Sequence, residues 1–406
     1  MATREENELL SRVGRGTPMG NMMRRFWVPA MRTEKLEAGG APQKLRILGE
    51  DLVAFRASDG RVGVFDEACP HRGVSLTLAR NADCALHCIF HGWKIDVSGK
   101  LMDVPAEPAE TREKFIARTK VHHHPSRDAG GIIWVWLGEG EPGPFPGFKF
   151  VNLPAGHVRT RVGIVHCSWL NGLEGQLDSA HVGILHQDWV STLPGQIADL
   201  ENSSYDLCPR FEFEEQPYGH REAAVRNRAD GSLYVRIREF VLPWYSFIPS
   251  FGGEDRIHLL ALSVPIDDEH SMQWDVFYNP VRPLGLPNMR DGGDADDLAR
   301  GMGDIDNRFG QSRERMKQGS FSGFSVLRQE DYAVAMAQGV FADRTKENLS
   351  SSDIPVVKAR RLLLQAARQE SEGKPILGFD QPIAWDRIHA FSEIIPRDAD
   401  WRSLPR

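Results

Sequence analysis

The chain has 406 residues, 41% of them hydrophobic and 26% charged, with a formal net charge of −7. That length supports two domains and a sizeable core, and the mildly acidic balance with scattered Lys and Arg excludes a nucleic-acid footprint. No run is long and apolar enough to span a membrane, and the charged start MATREENELL lacks the apolar stretch of a signal peptide, so a cytoplasmic protein is expected.

Residues 1–24 read as a helical lead-in expected to pack on the second domain. From 25 to 147 the pattern is short β-prone runs, QKLRILG, DLVAFRA, RVGVFDE and IIWVWLG, separated by Gly, Asp-Gly and Pro. This predicts a small all-β domain that ends in the Pro/Gly-rich stretch GEGEPGPFPG. Residues 148–406 open with a helical segment over 168–190. Then come FEFEEQ, REAAVRN, SLYVRIREFVL, RIHLLALSV and QWDVFYNP, which alternate as an antiparallel sheet does. Residues 281–303, rich in Gly, Pro and Asp, predict a long loop. Helical periodicity returns after 305 and is clearest in ARRLLLQAARQ.

Five cysteines in a chain this long argue for a reducing compartment and a metal role for some of them. EACPHRG supplies Cys69 and His71, and HCIFHGWKID supplies Cys88 and His91. Two thiolates on one iron and two imidazoles on the other make a Rieske [2Fe–2S] cluster. A Cys₂His₂ zinc site is the rival, but C-x-H is too short for the usual zinc knuckle. A second C-x-x-H, Cys84 to His87, competes for the register; it lacks the following HGW, so Cys84 is expected to be a small buried thiol and His87 a loop residue.

The run NGLEGQLDSAHVGILHQDW contains Asp178, His181 and His186. Two imidazoles and a carboxylate with open positions are the donor set of mononuclear non-haem Fe(II) oxygenases. On a regular helix, Asp178 and His181 share a face, but His181 and His186 diverge by roughly 140°. Convergence on one ion therefore requires an irregularity, expected near Gly183. A distant carboxylate must complete the set, and RQEDYAVAMAQG offers Asp331 first and Glu330 second.

Together these residues resemble the oxygenase (alpha) component of Rieske non-haem iron aromatic oxygenases, in the phthalate-dioxygenase-like branch that includes aryl-ether O-demethylases. The likeness runs from GTPMGNMMRRFWVPA through CPHRG, FHGWKID and NxxEGxxDxxHxxxLH to QEDYAVAMAQG and DRTKENLSSSDIPVVKARRLLL. It implies an α+β chain: an N-terminal all-β Rieske domain plus a helix-grip catalytic domain with an antiparallel sheet. It implies mononuclear iron held by His181, His186 and Asp331. Asp178 would be the bridge that passes electrons from His91 of a neighbouring subunit, in a homotrimer. No GxGxxG follows a strand and opens a helix, and there is no third or fourth Cys for a plant-type cluster, so a separate NAD(P)H-dependent reductase, with or without a ferredoxin, is implied. The expected reaction is hydroxylation of an aromatic, carboxylated substrate by O₂, as ring dihydroxylation or O-demethylation. The alternative is a Rieske electron carrier with no catalysis of its own.

Arg221, Arg236 and Arg238 lie on predicted strands, where an inward guanidinium could clamp a substrate carboxylate. Glu174 lines the site or a solvated helix face. His122, His123 and His124 read as a solvated run, His166 and Cys167 as core, and Trp169, Trp189 and Trp244 as pocket wall or core.

Overall fold

The computed structural model describes residues 2–192, 198–250, 255–285, 301–379 and 382–404, so the centre of the expected loop at 281–303 lies outside the described residues. The chain divides into two compact units: Arg24–Phe145, and Pro146–Arg406 together with the N-terminal residues through Met23.

The smaller unit holds three antiparallel sheets. β1 (Trp27–Arg32), β9 (Ser126–Ala129) and β10 (Ile132–Trp136) form one, in the order β1-β10-β9. β2 (Gln43–Ile47), β3 (Glu50–Arg56) and β4 (Val62–Asp66) form a meander. β5 (Arg80–Ala82), β6 (Ala85–His87), β7 (Lys94–Asp96) and β8 (Leu101–Asp103) form the third, with strands of three residues that are too short to show periodicity in the sequence. The core between the second and third sheets collects Phe55, Phe65, Leu86, Trp93 and Ile95. One helix, Ala109–Arg118, was not expected in this all-β stretch; it packs Phe115 and Ile116 against that core.

The larger unit is built on an eight-stranded antiparallel sheet. Its strands are β11 (Val158–Val165), β12 (Arg210–Gln216), β13 (Gly219–Asn227), β14 (Leu233–Val241), β15 (Tyr245–Ile248), β16 (His258–Pro265), β17 (Ser271–Tyr278) and β18 (Phe391–Ile395). They run in the order β11-β17-β16-β15-β14-β13-β12, with β18 pairing β14. The helix Trp169–Leu177 packs against β15, β16 and β17, and Ser263 Oγ donates to its Trp169 carbonyl. Helix Leu327–Ala337 crosses it, tied by Asn171, whose Nδ2 donates to the carbonyls of Ala335 (3.2 Å) and Gly339 (3.0 Å). The N-terminal helix Arg4–Ser11 packs on helix Ile354–Ser371.

The expected helix over 168–190 is broken. Trp169–Leu177 stops, Asp178 turns to extended backbone (ψ 118°), and short helices Val182–Leu185 and Gln187–Thr192 follow. The breaks fall at 178–180 and at His186 rather than at Gly183. Asp178 and His181 therefore do not share a helix face as their spacing had implied. Gly183 has a different role. A Cβ there would stand 2.6 Å from the Ser203 carbonyl oxygen, so the glycine lets helices Val182–Leu185 and Ala198–Ser204 touch.

Candidate functional site

Two turns of the smaller unit carry Cys69, His71, Cys88 and His91, and they repeat one hydrogen-bond pattern. The Cys69 N–H donates to Val74 O and the Gly73 N–H to Cys69 O; the Cys88 N–H donates to Trp93 O and the Gly92 N–H to Cys88 O. Gly73 and Gly92 close these turns at φ +74° and +73°, which side chains with a Cβ rarely adopt. Cys69 and Cys88 are 3% and 4% exposed, and burial pushes the Cys69 thiol up to about 11. The imidazoles of His71 and His91 meet at 4.5 Å between centroids, and His71 stacks on Trp93. His91 Nδ1 is buried without a hydrogen-bond partner. The two buried thiols, the two adjoining imidazoles and the orphaned His91 nitrogen together make a donor set that fits a Rieske cluster.

The competing pair resolves differently. Asp83 and Cys84 form the two-residue turn of the β5–β6 hairpin, with φ +50° and +54°. That geometry leaves Cys84 half-buried, packed against the edge of the core with its Sγ 3.5 Å from Ser58 Oγ, rather than fully buried. His87 lies on β6 with its Nε2 3.1 Å from the Ala82 carbonyl oxygen.

In the larger unit, His181, His186 and Asp331 bring ligand atoms within 4.8 Å of one another. Asp331 Oδ1 lies 3.3 Å from His186 Nε2 and 3.8 Å from His181 Nε2. The other nitrogen of each ring faces a second carboxylate. His181 Nδ1 is 3.5 Å from Asp178 Oδ2, and His186 Nδ1 is 2.6 Å from Glu330 Oε2. Both Nε2 atoms are thereby turned toward Asp331. Glu330 and Asp331 differ by about 100° around their helix, so one holds the back of His186 while the other faces its front. Glu330 is fully buried and also accepts from Trp189 Nε1 (3.2 Å) and Ser322 Oγ (2.5 Å). Sequence reasoning ranked it as the second-choice ligand and missed this orienting position.

Charge in the trio is tightly coupled. Burial would raise the Asp331 carboxyl, but His186, Arg328 and His181 hold it well below the usual range. Against its burial, His186 is pushed up to about 9 by Asp331 and Glu330. The arrangement draws positive charge to one point, as a cation site should.

Why the chain breaks at 178 is visible in the arginines. Arg238 donates through Nη1 to Gln176 O (2.9 Å) and through Nη2 to Leu177 O, while its Nε donates to Glu222 Oε1 at 2.6 Å. Arg226 Nη2 donates to Ser179 O at 2.7 Å, and Arg236 Nη1 to Ser179 Oγ at 3.0 Å. Arg238 takes carbonyls that the helix end leaves unpaired, while Arg226 and Arg236 hold Ser179 just beyond it. Asp178 Oδ1 then accepts the Ala180 N–H at 2.6 Å and starts the next turn. Burial would raise the Asp178 carboxyl, but His181 and the Ala180 N–H hold it low.

A cavity of about 840 Å³ opens over the trio, lined in part by Asp178, Leu200, Arg236, Arg238, Ile248 and Leu259. Arg236 pairs Asp199 at 2.9 Å and Arg238 pairs Glu222, so both reach the cavity already partnered. Arg221 does not line it: it sits beside Glu239 with its guanidinium over the Trp401 ring. Glu174 lines the cavity, but as a buried acid held low by Arg344 and Arg360 (2.9 and 2.6 Å) against its desolvation, not as a solvated face.

Several expectations need correction. His124 is buried at 3% exposure, so the 122–124 run is not simply solvated. Cys167 is core, whereas His166 is exposed and stacks on His270 at 4.6 Å. Trp169 and Trp244 are fully buried, and none of the three singled-out tryptophans is among the residues lining the cavity.

Two family models divide the chain: a Rieske [2Fe-2S] domain matches residues 26–122, and the LigXa C-terminal domain like family matches 135–406. The phthalate 4,5-dioxygenase oxygenase subunit of Pseudomonas putida is 37% identical, across 99% of this chain and 94% of that subunit. The 3-chlorobenzoate-3,4-dioxygenase oxygenase subunit of Comamonas testosteroni is 32% identical, across 99% and 98%. The 5,5'-dehydrodivanillate O-demethylase oxygenase subunit of a Sphingobium species is 27% identical, across 98% and 86%. Among solved structures, the terminal oxygenase of carbazole 1,9a-dioxygenase from Nocardioides aromaticivorans IC177 shares the fold, with a TM-score of 0.59 at 19% identity, covering 89% of this chain and 97% of that one. A Rieske domain ahead of a helix-grip domain with a candidate metal site defines the oxygenase component of a multicomponent, iron-dependent oxygenase. The chain belongs to the Rieske non-haem iron oxygenases, in their phthalate-dioxygenase-like branch.

Proposed function

We propose that this oxygenase component hydroxylates a small aromatic, carboxylated substrate in the cavity over His181, His186 and Asp331, by ring dihydroxylation or O-demethylation. The observation that carries the reading is the convergence of both Nε2 atoms on Asp331 beneath that cavity. Cys69 and Cys88 would hold one iron of the cluster and His71 and His91 the other, while His181, His186 and Asp331 would hold the mononuclear iron. When bound, these centres supply single electrons and activate O₂.

The chain's own groups do the rest. Asp178 and Glu330 fix the two imidazoles, and the apolar wall of Leu200, Ile248 and Leu259 shelters an aromatic ring. Of the arginines first considered for a carboxylate, Arg236 and Arg238 line the cavity, and Arg236 is the better placed because its Nε is buried there without a hydrogen-bond partner.

Asp178 keeps 29% of its side chain exposed, and Ile89 and Phe90 beside His91 are 64% and 51% exposed. This exposure is compatible with the homotrimer the reading entails, in which Asp178 meets His91 of a neighbour, and with docking of a ferredoxin or an NAD(P)H-dependent reductase near His91. No helix of the described residues is long and apolar enough to cross a membrane, which fits a cytoplasmic site of action.

The test is turnover with a reductase, NADH and a panel of phthalates, benzoates and methoxybenzoates, scoring diols and formaldehyde. The reading requires turnover of a carboxylated member of the panel and its loss in the His181→Ala/His186→Ala double variant. Turnover that survives in that variant removes the reading.

A further inference from the structure

We propose that Asp66, His122 and His124 form a binding site for a divalent metal ion of the zinc class, separate from the two donor sets assigned to iron. The site is set by backbone pairing. Residues 122–124 run antiparallel to the end of β4: Phe65 bridges His123, the Asp66 N–H donates to His122 O (3.3 Å), and the His124 N–H donates to Val64 O (2.9 Å). In an extended stretch, residues two apart point to the same side. His122 and His124 therefore stand together, on the side where Asp66 lies.

The donor atoms are already close. His122 Nδ1 is 3.0 and 2.9 Å from the two oxygens of Asp66, and His124 Nε2 is 2.9 Å from Asp66 Oδ1. The two rings meet at 4.5 Å between centroids. Tetrahedral ligands about 2.1 Å from a zinc ion lie roughly 3.4 Å apart, so these donors need to open only slightly. Two imidazoles and one carboxylate suit zinc, copper(II) or nickel(II); calcium and magnesium would ask for more oxygens, and copper(I) for sulfur.

Access agrees with this. His124 is buried and backs the site, while the side chains of His122 and Asp66 are 58% and 45% exposed, leaving an open fourth position. Asp66 borders a depression of about 490 Å³ whose other acids, Glu50, Asp51 and Glu67, are each paired with Arg24, Arg46 or Lys44, so Asp66 is the carboxylate that faces the two imidazoles. Asp66 stands three residues before Cys69, so an ion here would clamp the segment 122–124 to the strand that leads into the first cluster turn.

The probe is zinc itself. Iron-loaded full-length protein is dialysed against micromolar free Zn²⁺, and zinc and iron per chain are counted by mass spectrometry with the cluster absorption recorded. The proposal expects about one zinc per chain with no loss of iron, since the three donors make one site. Affinity should fall more than about tenfold in His122→Ala and in Asp66→Asn, with the cluster spectrum unchanged. His122→Gln, which keeps the size and polarity of an exposed side chain, serves if either variant loses its cluster. Zinc uptake that displaces iron, uptake that the variants retain, or no uptake by the unaltered protein would each overturn the proposal. The last result would leave Asp66 as a hydrogen-bonding partner of two imidazoles and nothing more.

Discussion

Glu330→Gln isolates the contribution of the carboxylate behind His186. Glu330 is fully buried, lies 2.6 Å from His186 Nδ1, and accepts from Trp189 and Ser322. Glutamine keeps the volume and one acceptor oxygen but removes the charge. A charge-assisted hydrogen bond is about twice as strong as a neutral one, and loss of such an outer partner typically weakens metal affinity by about 10–100-fold. That is roughly 1.4–2.7 kcal/mol at 1.36 kcal/mol per decade. The assay is Fe(II) titration of apo-protein at the mononuclear site, followed by turnover, with the cluster absorption as a control. Iron affinity and turnover should fall together while the cluster spectrum stays constant. A variant that binds Fe(II) as tightly as the unaltered protein would refute the claim that Glu330 orients His186.

Arg226→Met leaves the carbonyls of Ser179 and Asp206 without their buried donor, at about 1–3 kcal/mol each. Mononuclear iron occupancy should drop before any loss of cluster absorption, which metal analysis and visible spectra distinguish. Gly183→Ala puts a Cβ 2.6 Å from the Ser203 carbonyl oxygen, an overpacking of about 1–3 kcal/mol, visible as a lower thermal midpoint. Cys84→Ser should leave the cluster spectrum intact, because Cys84 occupies a hairpin turn, whereas Cys88→Ser should abolish it.

The parts of the site that are local in sequence were legible. Each cluster turn is a six-residue unit whose cysteine and glycine are fixed by its own hydrogen bonds, so C-x-H and C-x-x-H with the following glycines carry the geometry. What depends on distant pairing was not. The break at Asp178 is held open by Arg226, Arg236 and Arg238, about fifty to sixty residues later, and nothing in 168–190 announces it. Arg236 and Arg238 share a strand face by period two, as expected. Arg221 lies on the neighbouring strand, paired with Glu239, and only the register between strands puts it on the other face. The choice between Glu330 and Asp331 turned on about 100° of helix rotation, and the burial of His124 on its pairing with β4.

The central claim is that one chain carries a two-iron cluster and a separate mononuclear iron that does the chemistry. Metal analysis combined with turnover tests it most directly. The unaltered protein should hold about three irons per chain, and His181→Ala/His186→Ala about two, with the red-brown cluster absorption kept and turnover lost. A double variant that still holds three irons, or that still oxidises substrate, would contradict it.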